Sequence, residues 1–503
     1  MNPILIVGAG PTGLVLALSM TKFGVPIKII DKADGPGTSS RAMAVMPRTL
    51  EFYNQLGISG AIINESIKIK EMQLHVDGKK RARMHVGSLG TGLSPFTSPY
   101  SFPQDEHEKL LLEKLNEFGI TVDWNTELLS FQEDQKCVKA KMLQAGHALE
   151  EEFAYICGCD GAGSAVRHQI NTDFPGGTYE QLFYVMDIKA TGRPIDSQRI
   201  SLCFRGEEFV VLLPVRSKNT TRAIGIFPKQ LVNSRDDVDK LVSFMEEAYQ
   251  LDIKQVNWFS TYNVHHRVAS HFTKGRAFLV GDAAHIHSPA GGQGMNTGIG
   301  DAVNLGWKLA SVVHGKAKEE LLHSYEVERR AFAERLVNTT DRAFTSVVSG
   351  SFINRLLRKQ IVPRLIPLVD HSMRIKEQLF KIISQTQIEY TQSPLSSGKY
   401  MGVESGQRLP FTGDNYQTLQ TMDWQVHVYG SASAQLLNFC KKRGLPLHTF
   451  SFDSIAEQKG LQKEAMYLLR PDGHIGLVHS YQDIQRLQEY LDNWGITPFH
   501  AKQ

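Results

Sequence analysis

The N-terminal run Ile4–Val7, followed by Gly8-Ala9-Gly10-Pro11-Thr12-Gly13 and then by Leu14, Leu18 and apolar neighbours up to Gly24, leaves little freedom in how the chain begins. The short apolar run reads as a buried strand, the next segment as a helix, and Pro26–Ile30 as a second strand ending in Asp31. In such a unit the first glycine permits a tight turn, the second lets the backbone approach a pyrophosphate, and the third lets the helix pack closely. An acid about twenty residues on accepts hydrogen bonds from an adenosine ribose. Gly8, Gly10, Gly13 and Asp31 are therefore expected to hold a dinucleotide. The motif leaves FAD and NAD(P) both open, although an acid disfavours a 2′-phosphate at this site.

The stretch Pro3–Met20 carries no charge and imitates a signal or membrane segment. No basic residue precedes it, and Gly8, Gly10, Pro11 and Gly13 interrupt it, so that reading is rejected. No other run approaches a spanning length, and a soluble protein is expected. At 503 residues the chain calls for two or three domains rather than one core. Its 55 basic and 52 acidic residues give a net charge of +3, which supplies no general attraction to nucleic acid. Cys137, Cys157, Cys159, Cys203 and Cys440 are scattered, which fits reduced thiols in the cytoplasm better than a disulfide framework.

A second feature spans Gly275–Ala310. Ala277–Val280 reads as a buried strand leading into Gly281-Asp282, then a loop dense in glycine (Gly291, Gly292, Gly294), then a helix from about Gly294 or Met295 with Leu305, Leu309 and Val312 facing the core. Missing side chains let backbone press against something flat, and the first N–H groups of the helix favour an anion or an electron-rich carbonyl. His285 and His287 lack companions at metal-ligand spacing, so no metal is expected, and both are read as hydrogen-bonding loop residues.

A third feature is Ile156–Arg167, where a strand end delivers Asp160-Gly161 and a helix from about Ser164 carries Arg167. The acid and the arginine are expected to pair across a crevice floor. Arg41 could neutralise a pyrophosphate or face a reacting ring, and Arg48 is evenly split between ligand and surface. Gln104 is read as a cofactor hydrogen-bonder in preference to a helix cap.

Taken together, Gly8–Gly13, Asp160-Gly161 with Arg167, and Gly281-Asp282 with the Pro289–Thr297 loop resemble, in order and spacing, the three fingerprints of single-component FAD-dependent aromatic hydroxylases, the phenol and polyketide hydroxylase group. The resemblance is clear over residues 1–345. It implies that Asp282 holds the ribityl chain, that Gly294, Met295 and Asn296 meet the flavin's pyrimidine edge, that Pro289 lies beside the reacting face, and that Asp160 serves both FAD and nicotinamide. Arg41 and Pro289 are the catalytic candidates. It implies bound FAD, NADPH or NADH as co-substrate, dioxygen, and transfer of OH to a phenolic or polyketide-like ring through a flavin C4a-hydroperoxide. Two departures are Asp31, where many relatives have Glu, and Met43–Met46, where the group often has a small residue and a histidine.

The expected fold is α/β: a Rossmann-like FAD-binding domain (1–70, 100–182, 265–345), an inserted mixed β-sheet substrate domain (71–99, 183–264), bridging helices and a linker (346–394), and a thioredoxin-like C-terminal domain (395–503). The sheet would roof the flavin, with Phe183, Tyr184, Phe204, Phe209, Phe227 and His75 as pocket or core residues. The tail lacks CxxC, which favours a structural or homodimer-contact role. A flavin halogenase is disfavoured because no tryptophan belongs to a WxWxIP stretch. An antibiotic-inactivating monooxygenase and a non-oxygenating flavin reductase or dehydrogenase stay open.

Overall fold

Short, mainly apolar runs too brief for helices form four parallel strands, β1 (Ile4–Val7), β2 (Ile27–Ile30), β3 (Ile156–Gly158) and β4 (Ala277–Leu279). They were traced in a computed structural model that describes residues 2–38, 42–215, 220–234, 237–288, 292–348, 364, 372–400 and 402–499. The sheet order is Thr273–Lys274, β4, β3, β1, β2, Val122–Asp123. Leu5 lies opposite both Ile156 and Lys28, and Cys157 opposite Phe278. Because the four strands run the same way, their carboxyl ends open on one edge, where ligands of such sheets collect.

The helices that matter to that edge are α1 (Pro11–Lys22), α2 (Pro47–Leu56), α3 (Gln104–Glu117), α4 (Ala165–Gln169), α5 (Gly294–Val313) and α6 (His323–Val348). Helix α5 is buried continuously from Asn296 to Ser311, so it is the central helix of the molecule. It reaches α1 through glycines: a Cβ on Gly298 would overlap the Thr12 hydroxyl, and one on Gly306 would lie 2.5 Å from that of Ser19.

An eight-stranded sheet covers the site. It joins Glu71–Val76 and Lys79–His85 to Arg199–Arg205, Glu208–Val215, Thr220–Ile226, Gly176–Gly192 and Leu251–Val268, and ends on His285–Ile286 of the glycine-loop segment. Side chains alternate between its faces. Tyr184, Met186 and Leu212 pack under the helix Val238–Tyr249, while Leu213 and Val215 pack on Met43. Phe183, Tyr184, Phe227 and His75, four of the six candidates, are buried.

The C-terminal sheet has the order Leu447–Phe450, Gln425–Tyr429, Met466–Leu469, Ile475–His479. A βαβ unit through Ala434–Arg443 is followed by an antiparallel hairpin and the helix Ile484–Trp494, the thioredoxin-like order. The strand Leu447–Phe450 and the helix Ser454–Gln458 were not foreseen, since polar residues break both patterns. Much of the segment 346–394, expected to hold bridging helices and a linker, lies outside the described residues; its described part includes the helix Met373–Ile383. Leu395 and Leu409 are buried, so Thr391–Leu409 is a docked arm.

Apolar packing and charge together fasten this tail: Met422, Trp424 and Leu468 join Trp307 of α5 in one core, with the Trp307 and Trp424 rings 5.7 Å apart. Arg470 is buried and reaches Glu328 of α6 at 2.7 and 3.0 Å and Asp472 at 2.6 Å, while Lys308 of α5 lies 2.7 Å from the same Glu328. Burial alone would raise the Glu328 carboxyl, but Arg470 and Lys308 hold it down at about 2. A carboxylate whose pKa falls on folding adds stability above its ordinary value of 4.5 and loses it as pH drops toward 2. Glu328→Gln leaves buried cations short of a partner and should cost about 3–5 kcal/mol. In thermal melts it should also flatten the loss of stability between those two pH values; wild-type and variant curves of equal slope would contradict the assignment.

Candidate functional site

The carboxyl edge of the parallel sheet is built from glycines of two kinds. Gly8 has φ +104°, and a Cβ there would overlap the Cys159 carbonyl; one on Gly13 would overlap the carbonyl of Gly8. These positions close β1, α1 and β3 on one another. Gly10, Gly161 and Gly163 instead face space with no protein atom within 4 Å of an added Cβ. That is a cradle with its floor fixed and its mouth open, as a pyrophosphate-bearing ligand requires. Asp31, at the end of β2, accepts the Ala9 N–H at 2.7 Å and the Ala33 N–H at 2.9 Å, so it pins the glycine turn and keeps lone pairs for a ribose.

Asp160 caps α4, with Oδ2 accepting from Ala165 at 2.7 Å and Val166 at 3.3 Å. Its Oδ1 is buried and has no hydrogen-bond partner among the described residues. The expected partner Arg167 feels the Asp160 charge but spends its hydrogen bonds elsewhere. Its guanidinium donates to the carbonyls of Ala283 at 3.0 Å and Ala162 at 2.6 Å, over the ring of Phe174, because those carbonyls lie nearer its fork.

Asp282 stands exposed on the turn Gly281–Ala283. The turn is held from below by Asp301 of α5, a buried acid that accepts from Gly281 N–H at 3.0 Å, His285 Nε2 at 2.7 Å and Arg329 Nε at 2.5 Å. Burial opposes its charge, but Arg329 and His285 keep the Asp301 carboxyl below the usual carboxylate range. Sequence reading missed this residue. The available signal was an acid between Ile299, Ala302 and Val303 on an otherwise apolar helix face.

Asn296 is fully engaged inside the protein. Its oxygen accepts from Met46 N–H at 2.9 Å and the Thr49 hydroxyl at 2.7 Å, and its amide donates to the carbonyls of Ala44 at 2.8 Å and Gly292 at 3.1 Å. Asn296 thereby clamps residues 44–49 to the loop, and its side chain being engaged leaves the first-turn N–H groups of α5 as the groups it and its neighbours can offer a ligand. Gly294 starts that helix and Met295 is half-buried against the core. His287 Nδ1 donates to the Ser288 carbonyl at 2.8 Å, which leaves Nε2 as a bare acceptor near Gly294, and burial pushes the ring down to about 4.

Gln104 is the first residue of α3 and makes no side-chain cap. Its amide donates to Glu108 at 2.9 Å, and Glu108 accepts the Gly37 N–H at 2.9 Å, which draws the loop after β2 onto α3. Arg48 is not a surface residue. It is buried, 2.7 Å from Glu51, and donates to the Asp472 carbonyl at 2.9 Å. Arg41 and Pro289 lie outside the described residues. Among the described residues no group of side chains could hold a metal, and no helix is long and apolar enough to cross a membrane.

Comparison with known proteins agrees with this geometry. A family model described as an FAD-binding domain matches residues 1–340. A 6-methylpretetramide 4-monooxygenase of Streptomyces rimosus is 31% identical over 408 residues, 78% of this chain and 71% of that protein. The solved structure of an anhydrotetracycline hydroxylase from Streptomyces rimosus superposes with a TM-score of 0.77 at 26% identity, covering 99% of both chains. A flavin-dependent monooxygenase solved with FAD and substrate has the same fold, with a TM-score of 0.80 at 20% identity and 98% coverage of each.

The two kinds of glycine give opposite expectations. Gly8→Ala should destabilise the fold by at least about 2 kcal/mol, since it needs both a positive φ and occupied space. Gly10→Val should leave the melting temperature of FAD-free protein nearly unchanged, yet weaken FAD about a hundredfold in a fluorescence titration. Undiminished FAD binding by Gly10→Val would mean that this space is not the ligand's.

Proposed function

The chain belongs to the FAD-dependent aromatic hydroxylases, and from that membership we propose that it hydroxylates a phenolic or polyketide-like aromatic ring, with electrons from NADPH or NADH. One dioxygen, one reduced nicotinamide and one proton enter with the ring; the hydroxylated ring, oxidised nicotinamide and water leave. The observation that carries this reading is a junction: the glycine-lined edge and the apolar sheet face meet at Met43, next to Ala44, whose Cβ lies 3.4 Å from where a Cβ on Gly292 would stand. A flat cofactor on one side and an aromatic ring on the other would therefore share a wall. The 6-methylpretetramide and anhydrotetracycline enzymes support a fused-ring phenol as substrate.

FAD, when bound, supplies the two-electron redox chemistry that divides dioxygen between ring and water, so the protein needs neither nucleophile nor metal. What the chain's residues supply is placement. Gly10, Asp31 and Arg41 would take the adenosine and pyrophosphate, and Asp282 the ribityl chain. The first N–H groups of α5, from Gly294 to Asn296, would draw negative charge to themselves through the helix dipole. Gln104, tied to Glu108, would line the same groove, and Pro289 would border the reacting face. His287 stays neutral at physiological pH and offers an acceptor rather than a charge. The eight-stranded sheet would exclude water from the reacting ring. With one GxGxxG motif in the chain, the nicotinamide donor would bind transiently in the crevice near Asp160. The five buried thiols suit a cytoplasmic protein.

Purified protein should carry FAD and oxidise NADPH slowly, and a phenol that fits should raise that rate about tenfold or more. With isotopically labelled dioxygen, one labelled atom should appear in the product. NADPH oxidation with no labelled product across a broad panel of phenols would favour a non-oxygenating reductase instead.

A further inference from the structure

Arg48 and Glu51 stand three residues apart at the start of α2, on one face of that helix, and both are buried. Charged side chains are seldom buried unless paired, so their partners show what the fold uses them for. Glu51 Oε2 accepts from Arg48 Nη1 at 2.7 Å. Its Oε1 accepts from the Ser94 hydroxyl at 2.6 Å and from Arg408 Nη1 at 2.9 Å. Arg408 Nη2 donates in turn to the Leu93 carbonyl at 2.8 Å, and Arg48 Nη2 to the Asp472 carbonyl at 2.9 Å. One carboxylate thus joins α2, the chain at residues 93–94 and the C-terminal unit.

Residues 94–101 are where the chain returns from the substrate sheet to the flavin-binding domain. The first end of this stretch is tied to Glu51, and Leu93 beside it packs with Met84, Val86 and Phe380. At the other end Tyr100 and Ser101 pair with Val45 and Ala44, and Ser101 Oγ donates to the Pro214 carbonyl of the sheet at 2.8 Å. Residues 44–51 and 94–101 therefore close a ring, with the wall at Met43 and Ala44 on one side and Glu51 on the other. At 1.5 Å per residue Glu51 lies only about 6 Å along α2 from Pro47, so a shift at the carboxylate reaches Met46. Of the three groups that Glu51 accepts from, Arg408 is the one that the C-terminal unit contributes.

We infer that Glu51 and Arg408 are positioning residues: through them the C-terminal unit braces the crossing between the two domains and holds the Met43–Met46 wall and the sheet closed over the flavin edge. The inference rests on the hydroxylase reading for what the closed site does, but not for the bracing. Both residues act through α2 and the 94–101 stretch rather than on the ligand. A site that opens here admits water to the reacting ring. Removing Arg408 leaves Arg48 paired with Glu51, so Arg408→Met keeps the buried charge matched, whereas Glu51→Ala would leave two guanidinium groups without their shared anion.

The test compares Arg408→Met and Arg408→Lys with Leu487→Ala, a core deletion on the helix Ile484–Trp494 of the same C-terminal unit. In FAD-free protein, Arg408→Met should speed hydrogen exchange at residues 43–49 and 94–101 about tenfold and leave residues 8–13 unchanged. In FAD-loaded protein, iodide should quench the flavin fluorescence of Arg408→Met about threefold more effectively than that of wild type. Arg408→Lys keeps the charge but loses the forked donor, and should fall between the two in both readings. Leu487→Ala should lower the melting temperature at least as much as Arg408→Met, yet leave exchange at 43–49 and iodide quenching at wild-type values. Faster exchange confined to residues 402–416 in Arg408→Met would make the pair a fastening of the tail alone and overturn the inference. Equal changes in Leu487→Ala would overturn it as well. With NADPH and a phenol that is hydroxylated, Arg408→Met should also divert a severalfold larger share of turnover to hydrogen peroxide, one NADPH, one proton and one dioxygen giving NADP+ and one peroxide. Absence of NADPH oxidation in every protein, wild type included, would reject the hydroxylase reading, while exchange and quenching would still decide the bracing.

Discussion

One buried carboxylate organises the site. Asp301 sits on the central helix α5 and is gripped at once by the turn that presents Asp282, by His285 and by Arg329 of α6. Arg329 in turn donates to the Thr297 carbonyl and the Tyr390 hydroxyl, so the same group ties α5 to α6 and to the arm that leads into the C-terminal unit. Burying an acid is unfavourable unless its charge and lone pairs are met. Here two cationic or polar partners and one backbone N–H meet them. A strand end, a helix start and a distant arm are thus fixed relative to one another before any ligand arrives.

Around that anchor the protein separates space it fills from space it leaves. Where glycine lets backbone meet backbone, at Gly8 and Gly13, an added methyl group would collide with a carbonyl. At Gly10, Gly161 and Gly163 an added methyl group would meet no neighbouring side chain or backbone within 4 Å, so that edge is left open. The eight-stranded sheet repeats this division: one face is sealed by a helix, and the other keeps a half-buried apolar surface toward Met43. The thioredoxin-like unit joins the arrangement through apolar packing and buried charge, with Arg470 reaching Glu328 from the far end of the chain.

What could be read from the sequence is what local pattern encodes. β1, α1 and β2 follow from apolar periodicity and glycine spacing, and the start of α5 at Gly294 from the loop before it. Side-chain roles set by distant partners could not be read. Arg48 resembles a ligand until Asp472, 424 residues away, claims its guanidinium. The Asn296 side chain is occupied by Ala44 and Thr49, some 250 residues earlier, a role no local pattern announces. Arg167, read as the partner of Asp160, feels that charge but gives its hydrogen bonds to the carbonyls of Ala283 and Ala162, the first of them 116 residues away. Asp301 went unnoticed because one acid among apolar residues has no local motif; its meaning lies in three partners brought by the fold.

The central claim is that four separated segments close on a single flavin dinucleotide. Hydrogen exchange on the protein with and without FAD tests it most directly, since it reads backbone protection in each segment separately. The account predicts that FAD slows exchange together in residues 8–13, 160–166, 281–283 and 294–297. Protection limited to residues 8–13, with the turn at Asp282 and the start of α5 unaffected, would contradict it.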